Sequence, residues 1–154
     1  MKHSFLMVVA FMTMLVCSAS SCEKNDDNSN TENTTPMTNS KIKIKVGSQT
    51  FTATLLDNNS AKAFKKMLPL TINMVELNNN EKYYDLPNSL PTNSSNPKTI
   101  KNGDLMLYGS KTLVLFYKDF STTYSYTKLG AVDDITGLTV ALGKGNVTVT
   151  FEKE

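Results

Sequence analysis

From Lys41 to Val46 the chain reads Lys-Ile-Lys-Ile-Lys-Val, an unbroken alternation with Ile42, Ile44 and Val46 on one side and three lysines on the other. A helix would scatter these six residues around its axis, whereas a strand with one buried face sorts them by charge. Gly47-Ser48 then breaks the run, and Thr50 to Leu56 alternates again, with Phe51, Ala53 and Leu55 set among threonines. Two alternating runs around a Gly-Ser pair predict a β-hairpin. The same period closes the chain at Val147 to Phe151, after a turn at Gly143 to Asn146 that lacks the spacing of a phosphate-binding loop.

Between these ends the pattern stays strand-like. Leu70 to Leu77 and Glu81 to Asp85 flank an Asn78-Asn79-Asn80 turn. Leu105 to Tyr108 and Thr112 to Tyr117 are almost continuously apolar and meet through Gly109-Ser110-Lys111, which places both at the centre of the core. Phe120 to Tyr126 forms an aromatic, hydroxyl-rich loop that leads into a short strand, Tyr126 to Gly130. About eight short strands predict a mainly β fold, a small closed or nearly closed barrel whose interior is filled by side chains.

Helical signals are few. Asp57 to Ser60 supplies N-cap side chains ahead of Ala61 to Leu68, where Ala61, Phe64 and Leu68 share one face and Lys62, Lys65 and Lys66 point outward. Pro69 stops this helix, whose expected role is to plug one barrel end. Asp133 to Leu142 predicts one or two further turns capped by Asp134. Leu86 to Asn102, with Pro87, Pro91 and Pro97 among Asn and Ser, is read as a long irregular loop, a class usually functional or mobile.

The N-terminal part belongs to another category. Met1-Lys2-His3 precedes an apolar run from Phe5 to Val16, then small residues at Ser18 to Ser21, then Cys22. A positive start, about a dozen apolar residues and a small-residue zone describe a secretory signal peptide over 1–21. A helix needs roughly 20 apolar residues to span a bilayer, so an uncleaved anchor is the poorer alternative. Ala19-Ser20-Ser21-Cys22 resembles a bacterial lipobox, with Ala19 where leucine is usual, which makes Cys22 the lipid-attachment residue and the membrane a partner through its acyl chains. Residues 22–40 are polar and poor in apolar β-branched and aromatic residues, and are read as a disordered tether ahead of a domain at 41–154. Lys24-Asn25-Asp26-Asp27 resembles acidic signals that direct some lipoproteins to the outer face of the outer membrane; a merely solvated linker explains it equally. The expected location is the cell envelope, at the outer membrane, facing either the periplasm or the surface.

What the sequence lacks decides more than its motifs do. The sole histidine, His3, lies in the leader. All sixteen basic residues are lysines, tryptophan is absent, and Cys17 and Cys22 are the only cysteines. A Ser-His-Asp or Cys-His arrangement therefore has no parts to be built from, and zinc has no Cys or His ligands in the domain. Neither a cofactor nor a metal is expected, and no residue stands out as catalytic. The net charge of +2 is too small and dispersed for nucleic-acid binding.

Thr52 to Phe64, Leu68-Pro69-Leu70, Gly103 to Gly109, Leu113 to Tyr117, Ser125 to Gly130 and Gly145 to Phe151, taken in order, resemble the bacterial cyclophilin-like domain family. The resemblance implies a closed eight-stranded β-barrel with one or two short helices at its ends. True cyclophilins, the prolyl isomerases, use an arginine, often beside a histidine and a tryptophan, and none of the three occurs in the predicted mature chain. The resemblance therefore implies a scaffold and transfers no catalytic residue.

Three functions fit. The first is a non-catalytic binding module for a small molecule, peptide or envelope protein, with Glu76, Tyr83, Tyr84, Tyr117, Phe120, Tyr124 and Tyr126 as candidate ligand-binding residues, since tyrosine suits surfaces half apolar and half wet. Ordinary packing at the barrel rim explains the same residues. The second is an enzyme, either a weak or inactive prolyl isomerase in which a lysine replaces the arginine, or a hydrolase using carboxylates from Glu76, Asp85, Asp104, Asp133 and Asp134. The third is an assembly lipoprotein docking through Lys41, Lys43 and Lys45.

Overall fold

The structure is a computed structural model that describes residues 36–154. The leader, Cys22 and the rest of the segment up to residue 35 lie outside the described residues. Ten strands and two helices follow in order: β1 (Pro36–Val46), β2 (Gln49–Leu56), α1 (Asn59–Lys66), β3 (Leu70–Leu77), β4 (Glu81–Asp85), β5 (Thr99–Ile100), β6 (Asp104–Tyr108), β7 (Thr112–Phe116), β8 (Phe120–Ser121), β9 (Thr127–Val132), α2 (Leu138–Leu142) and β10 (Val147–Lys153). Eight strands close into an antiparallel barrel in the order β1-β10-β3-β4-β7-β6-β9-β2, and β5 pairs with β8 as a separate small sheet. The mainly β, eight-stranded closed barrel with two short helices is thus observed.

Alternation sorts β1 as its sequence demands. Ile42, Ile44 and Val46 are buried in the interior, packed with Phe51, Ala53 and Leu55 from β2. The hairpin register is Val46 opposite Gln49, leaving Gly47-Ser48 as a two-residue turn with Gly47 at φ 59°. On the outer face Lys41 pairs with Asp133 at 2.6 Å and Lys45 with Glu152 at 2.8 Å, so two of the three lysines are already engaged. The strand begins at Pro36, before the compositional break at Lys41, and its Pro36–Ser40 portion is set off by a register shift.

Asn58 caps α1, accepting from the Ala61 backbone N–H at 2.8 Å while its amide donates to the Lys128 carbonyl. Phe64 from this helix enters the barrel end and meets Phe151 edge to face at 5.6 Å. The second helix has the expected length of one to two turns but not the expected cap: Asp134 closes a local turn onto the Thr136 N–H, and α2 starts only after Gly137.

The continuous apolar runs of β6 and β7 have a two-sided explanation. Leu105, Leu107, Leu113 and Leu115 face the barrel interior, while Met106, Val114 and Phe116 face outward into a second cluster with Ile100 and Tyr126. The small β5–β8 sheet belongs to the layer over that outer face, contributing Ile100 and Phe120 to the second cluster. Strands buried on both sides lose their alternation. The segment Leu86 to Asn102 is more structured than a plain loop: it contributes β5 and a two-hydrogen-bond bridge between Ser95 and Tyr126.

Candidate functional site

Strand β4 divides its side chains between two environments. Lys82 and Tyr84 face inward, while Glu81, Tyr83 and Asp85 face outward beside Phe116, Val114 and Thr112 of β7. Tyr108 extends the outward face on β6, opposite Thr112. The segment 120–126 forms a wall over these strands. Its backbone is tied down by β5–β8 pairing, by the Thr122 N–H donating to the Lys98 carbonyl at 2.9 Å, and by the Ser95–Tyr126 bridge. Between floor and wall lies a groove of about 630 Å³, lined by Tyr83, Tyr108, Phe120, Tyr124, Tyr126, Glu81 and Asp85, with Leu77 and the asparagine turn at one end. That volume lies within the range of about 300–1,000 Å³ usual for small-molecule sites.

Aromatic rings run through this region as a connected series. Tyr124 meets Tyr108 edge to face at 6.1 Å, and Tyr108 meets Tyr126 at 5.6 Å. Tyr126 meets the buried Phe116 edge to face at 5.5 Å, and Phe116 meets Phe120 at 5.6 Å. Such ring pairs fix one another's orientation and contribute roughly 0.5–1.5 kcal/mol each beyond their buried area. Tyr124 remains 61% exposed despite its ring contact, which places it at the groove mouth.

Two carboxylates and no lysine line the groove. Asp85 accepts from the Thr112 hydroxyl at 2.6 Å. Glu81 is half-buried, and among the described residues its carboxylate has neither a hydrogen-bond donor nor a cation bound to it. Burial pushes its carboxyl up, and the charge of nearby Glu76 pushes in the same direction. The Tyr126 hydroxyl is raised as well, by burial first and then by the charge of Glu81. Because its folded-state value lies above its unfolded one, ionised Glu81 costs stability: nothing well below the ordinary glutamate value of 4.5, and the full amount above the raised value. Glu81→Gln should accordingly raise the melting temperature at neutral pH, with the gain vanishing as pH falls below 4.5. Thermal melts across the acid-to-neutral range check this, and a loss of stability at neutral pH would contradict it.

The remaining candidates lie elsewhere. Glu76 and Tyr117 engage each other at one barrel end, where the Tyr117 hydroxyl donates to the Glu76 carboxylate at 2.8 Å. The fully buried Lys82 ammonium pairs with Glu76 and donates to the Gly143 and Gly145 carbonyls at 3.0 and 2.6 Å. It also stands 5.2 Å from the centre of the Tyr117 ring. Burial raises the Glu76 carboxyl, but donors from Lys82, Tyr117 and the Asn79 N–H outweigh that and hold it below the usual range. The Tyr117 hydroxyl is driven up by burial and by the Glu76 carboxylate it serves. Tyr84 packs against the interior core. Glu76, Tyr84 and Tyr117 therefore do not line the groove, whereas Tyr83, Phe120, Tyr124 and Tyr126 do.

Sequence reasoning passed over Tyr108 and Glu81, although outward alternation along β4 and β6 carried the signal for both. The other carboxylates are dispersed: Asp104 is buried against Lys128 at 2.8 Å, Asp133 holds Lys41, and Asp134 closes its turn. No group of three or more His, Cys, Asp or Glu side chains among the described residues is placed to hold a metal ion.

The sequence profile of the cyclophilin-like family matches residues 44–152, which is nearly the whole barrel. The chain belongs to the cyclophilin-like family. Its cyclophilin-like barrel is similar to the solution structure of a hypothetical protein from Archaeoglobus fulgidus, with a TM-score of 0.51 and 14% identity over 74% of this chain and 94% of that one. At that identity the likeness speaks for the fold alone. Among curated proteins the search found no match. In this cyclophilin-like chain the buried Lys82, the lysine of β4, is turned away from the groove and saturated by three oxygen acceptors, so it does not present a charge there.

Proposed function

We propose that this protein is a cell-envelope lipoprotein, anchored through Cys22 at the outer membrane, whose cyclophilin-like domain binds a small molecule in the outer-face groove without transforming it. The observation that carries the reading is a groove of small-molecule size lined by Tyr83, Tyr108, Phe120, Tyr124 and Tyr126 around two carboxylates. Rings held by one another and by a braced wall are pre-organised, which reduces the ordering cost of binding. A groove without lysine, in a sequence without arginine, also has no cation to polarise a prolyl amide, which favours binding over isomerisation.

The test separates binding from packing. Tyr124→Ala should abolish saturable binding of ligands drawn from a fragment screen while costing no more than about 1.5 kcal/mol, the upper value for its one ring pair with Tyr108. Tyr84→Ala should do the reverse, costing somewhat less than the roughly 3–5 kcal/mol of a fully buried aromatic and leaving binding intact. Ligand titrations by NMR alongside urea unfolding read both. Binding that survives Tyr124→Ala and Phe120→Ala would remove the groove from the account, and acceleration of prolyl isomerisation by the purified protein would remove its non-catalytic part.

A further inference from the structure

We infer that the groove selects a small organic cation bearing an alkylammonium group, seated against the tyrosine rings with its charge answered by Glu81. The inference rests on the reading of the groove as a ligand site and names the chemistry of its occupant.

Four features converge on that chemistry. The lining rings offer π-faces and edges around one cavity, and a cation over such faces is attracted by the ring quadrupole more strongly than a neutral group of the same shape. The groove's formal charges, Glu81 and Asp85, are both negative. The two are not equivalent: Asp85 is already served by the Thr112 hydroxyl, while Glu81 has no donor or cation on it among the described residues. A half-buried carboxylate left in this condition is costly unless something positive comes to it. The lysine best placed by sequence to serve it, Lys82, is committed on the opposite face of the strand to Glu76 and two backbone carbonyls. The raised Glu81 carboxyl is the electrostatic counterpart of that unanswered position, and it is the expected signature of a group kept for a ligand at some expense in stability.

An anionic ligand would meet two carboxylates with no basic side chain in the lining, and a neutral one would leave Glu81 unanswered. An alkylammonium satisfies both the rings and the acid, and it needs none of the planar, bidentate hydrogen bonding that a guanidinium or a carboxylate would call for.

Choline and its neutral tert-butyl isostere are the probes, titrated into the full-length chain in maltoside micelles by calorimetry and NMR. Choline should bind saturably at the groove, and the isostere at least tenfold more weakly. Glu81→Gln should weaken choline at least fivefold while leaving the isostere unchanged. Because that variant is expected to fold at least as stably as the parent, loss of choline binding would not reflect loss of structure. Equal affinity for the two probes, or indifference of choline to Glu81→Gln, would overturn the cation inference while the groove reading stands. Choline binding untouched by Tyr124→Ala would place it elsewhere and overturn both. Absence of saturable choline binding at millimolar concentration, with fragment ligands still seen in the groove, would overturn the inference alone.

Discussion

Glu76→Ala should destabilise the domain by about 3–5 kcal/mol, the usual consequence of removing one member of a buried ion pair. The Lys82 side chain has no exposure to solvent, so once the carboxylate is gone its ammonium keeps only the Gly143 and Gly145 carbonyls. The Tyr117 hydroxyl and the Asn79 N–H lose their acceptor in the same step. At about 4 °C per kcal/mol for a domain near 100 residues, the melting temperature should fall by roughly 12–20 °C. The double variant Glu76→Leu/Lys82→Met should recover much of this, since a packed apolar pair of similar volume removes the charge instead of stranding it. The pH dependence has a definite sign. The Glu76 carboxyl sits lower in the folded state, so its contribution is present above the ordinary value of 4.5 and is lost as pH falls through the depressed folded value. The gap between parent and Glu76→Ala should therefore narrow on acidification below 4.5. Urea unfolding at several pH values reads the effect; a single variant as stable as the double one would contradict it.

Gly130→Ala should be the most disruptive single methyl in the barrel. A Cβ built there would stand 2.3 Å from the Thr54 carbonyl oxygen, 2.9 Å from Leu55 Cα and 3.0 Å from the Thr54 carbonyl carbon. All three are backbone atoms of β2, so no rotamer change relieves the clash and the strands must separate. The seam between β2 and β9 is short, with Ala53 opposite Val132, Thr54 opposite Ala131 and Leu55 opposite Gly130. Overpacking usually costs about 1–3 kcal/mol, and this position belongs at or beyond the upper end because closure of the barrel depends on the seam. Hydrogen exchange should show β2 and β9 amides losing protection before the rest. Gly145→Ala, where an added methyl meets nothing within 4 Å, is the control and should be nearly neutral. An unchanged melting temperature for Gly130→Ala would contradict the close approach of the two strands.

The barrel was legible because its interior is sorted by period. Ile42, Ile44, Val46, Val149 and Phe151 alternate with polar residues, and every one of them is buried. The β5–β8 layer was not legible: two-residue strands carry no period, and Pro97 and the neighbouring asparagines point to a loop. The same omission hid why β6 and β7 read as continuously apolar, since their outer faces are covered by elements too short to announce themselves. Nor does any local pattern betray Lys82. A lysine between a glutamate and a tyrosine reads as solvated, and it is buried only because Glu76, opposite it across the β3–β4 hairpin, and the Gly143–Gly145 turn, from distant sequence, converge on it. The candidate site was half legible. Residue type alone makes candidates of both Tyr83 and Tyr84, though neighbours on a strand face opposite ways, and alternation through Glu81, Tyr83 and Asp85 points to the acids that give the groove its charge.

Fluorine NMR of the chain labelled with fluorotyrosine tests the central claim most directly, because the six tyrosines divide into two sets. Tyr83, Tyr108, Tyr124 and Tyr126 line the groove, while Tyr84 faces the core and Tyr117 is held by Glu76. Titration with choline should shift the four groove signals along one saturation curve and leave those of Tyr84 and Tyr117 in place. Movement of Tyr117 or Tyr84 with the groove set unmoved would contradict the account.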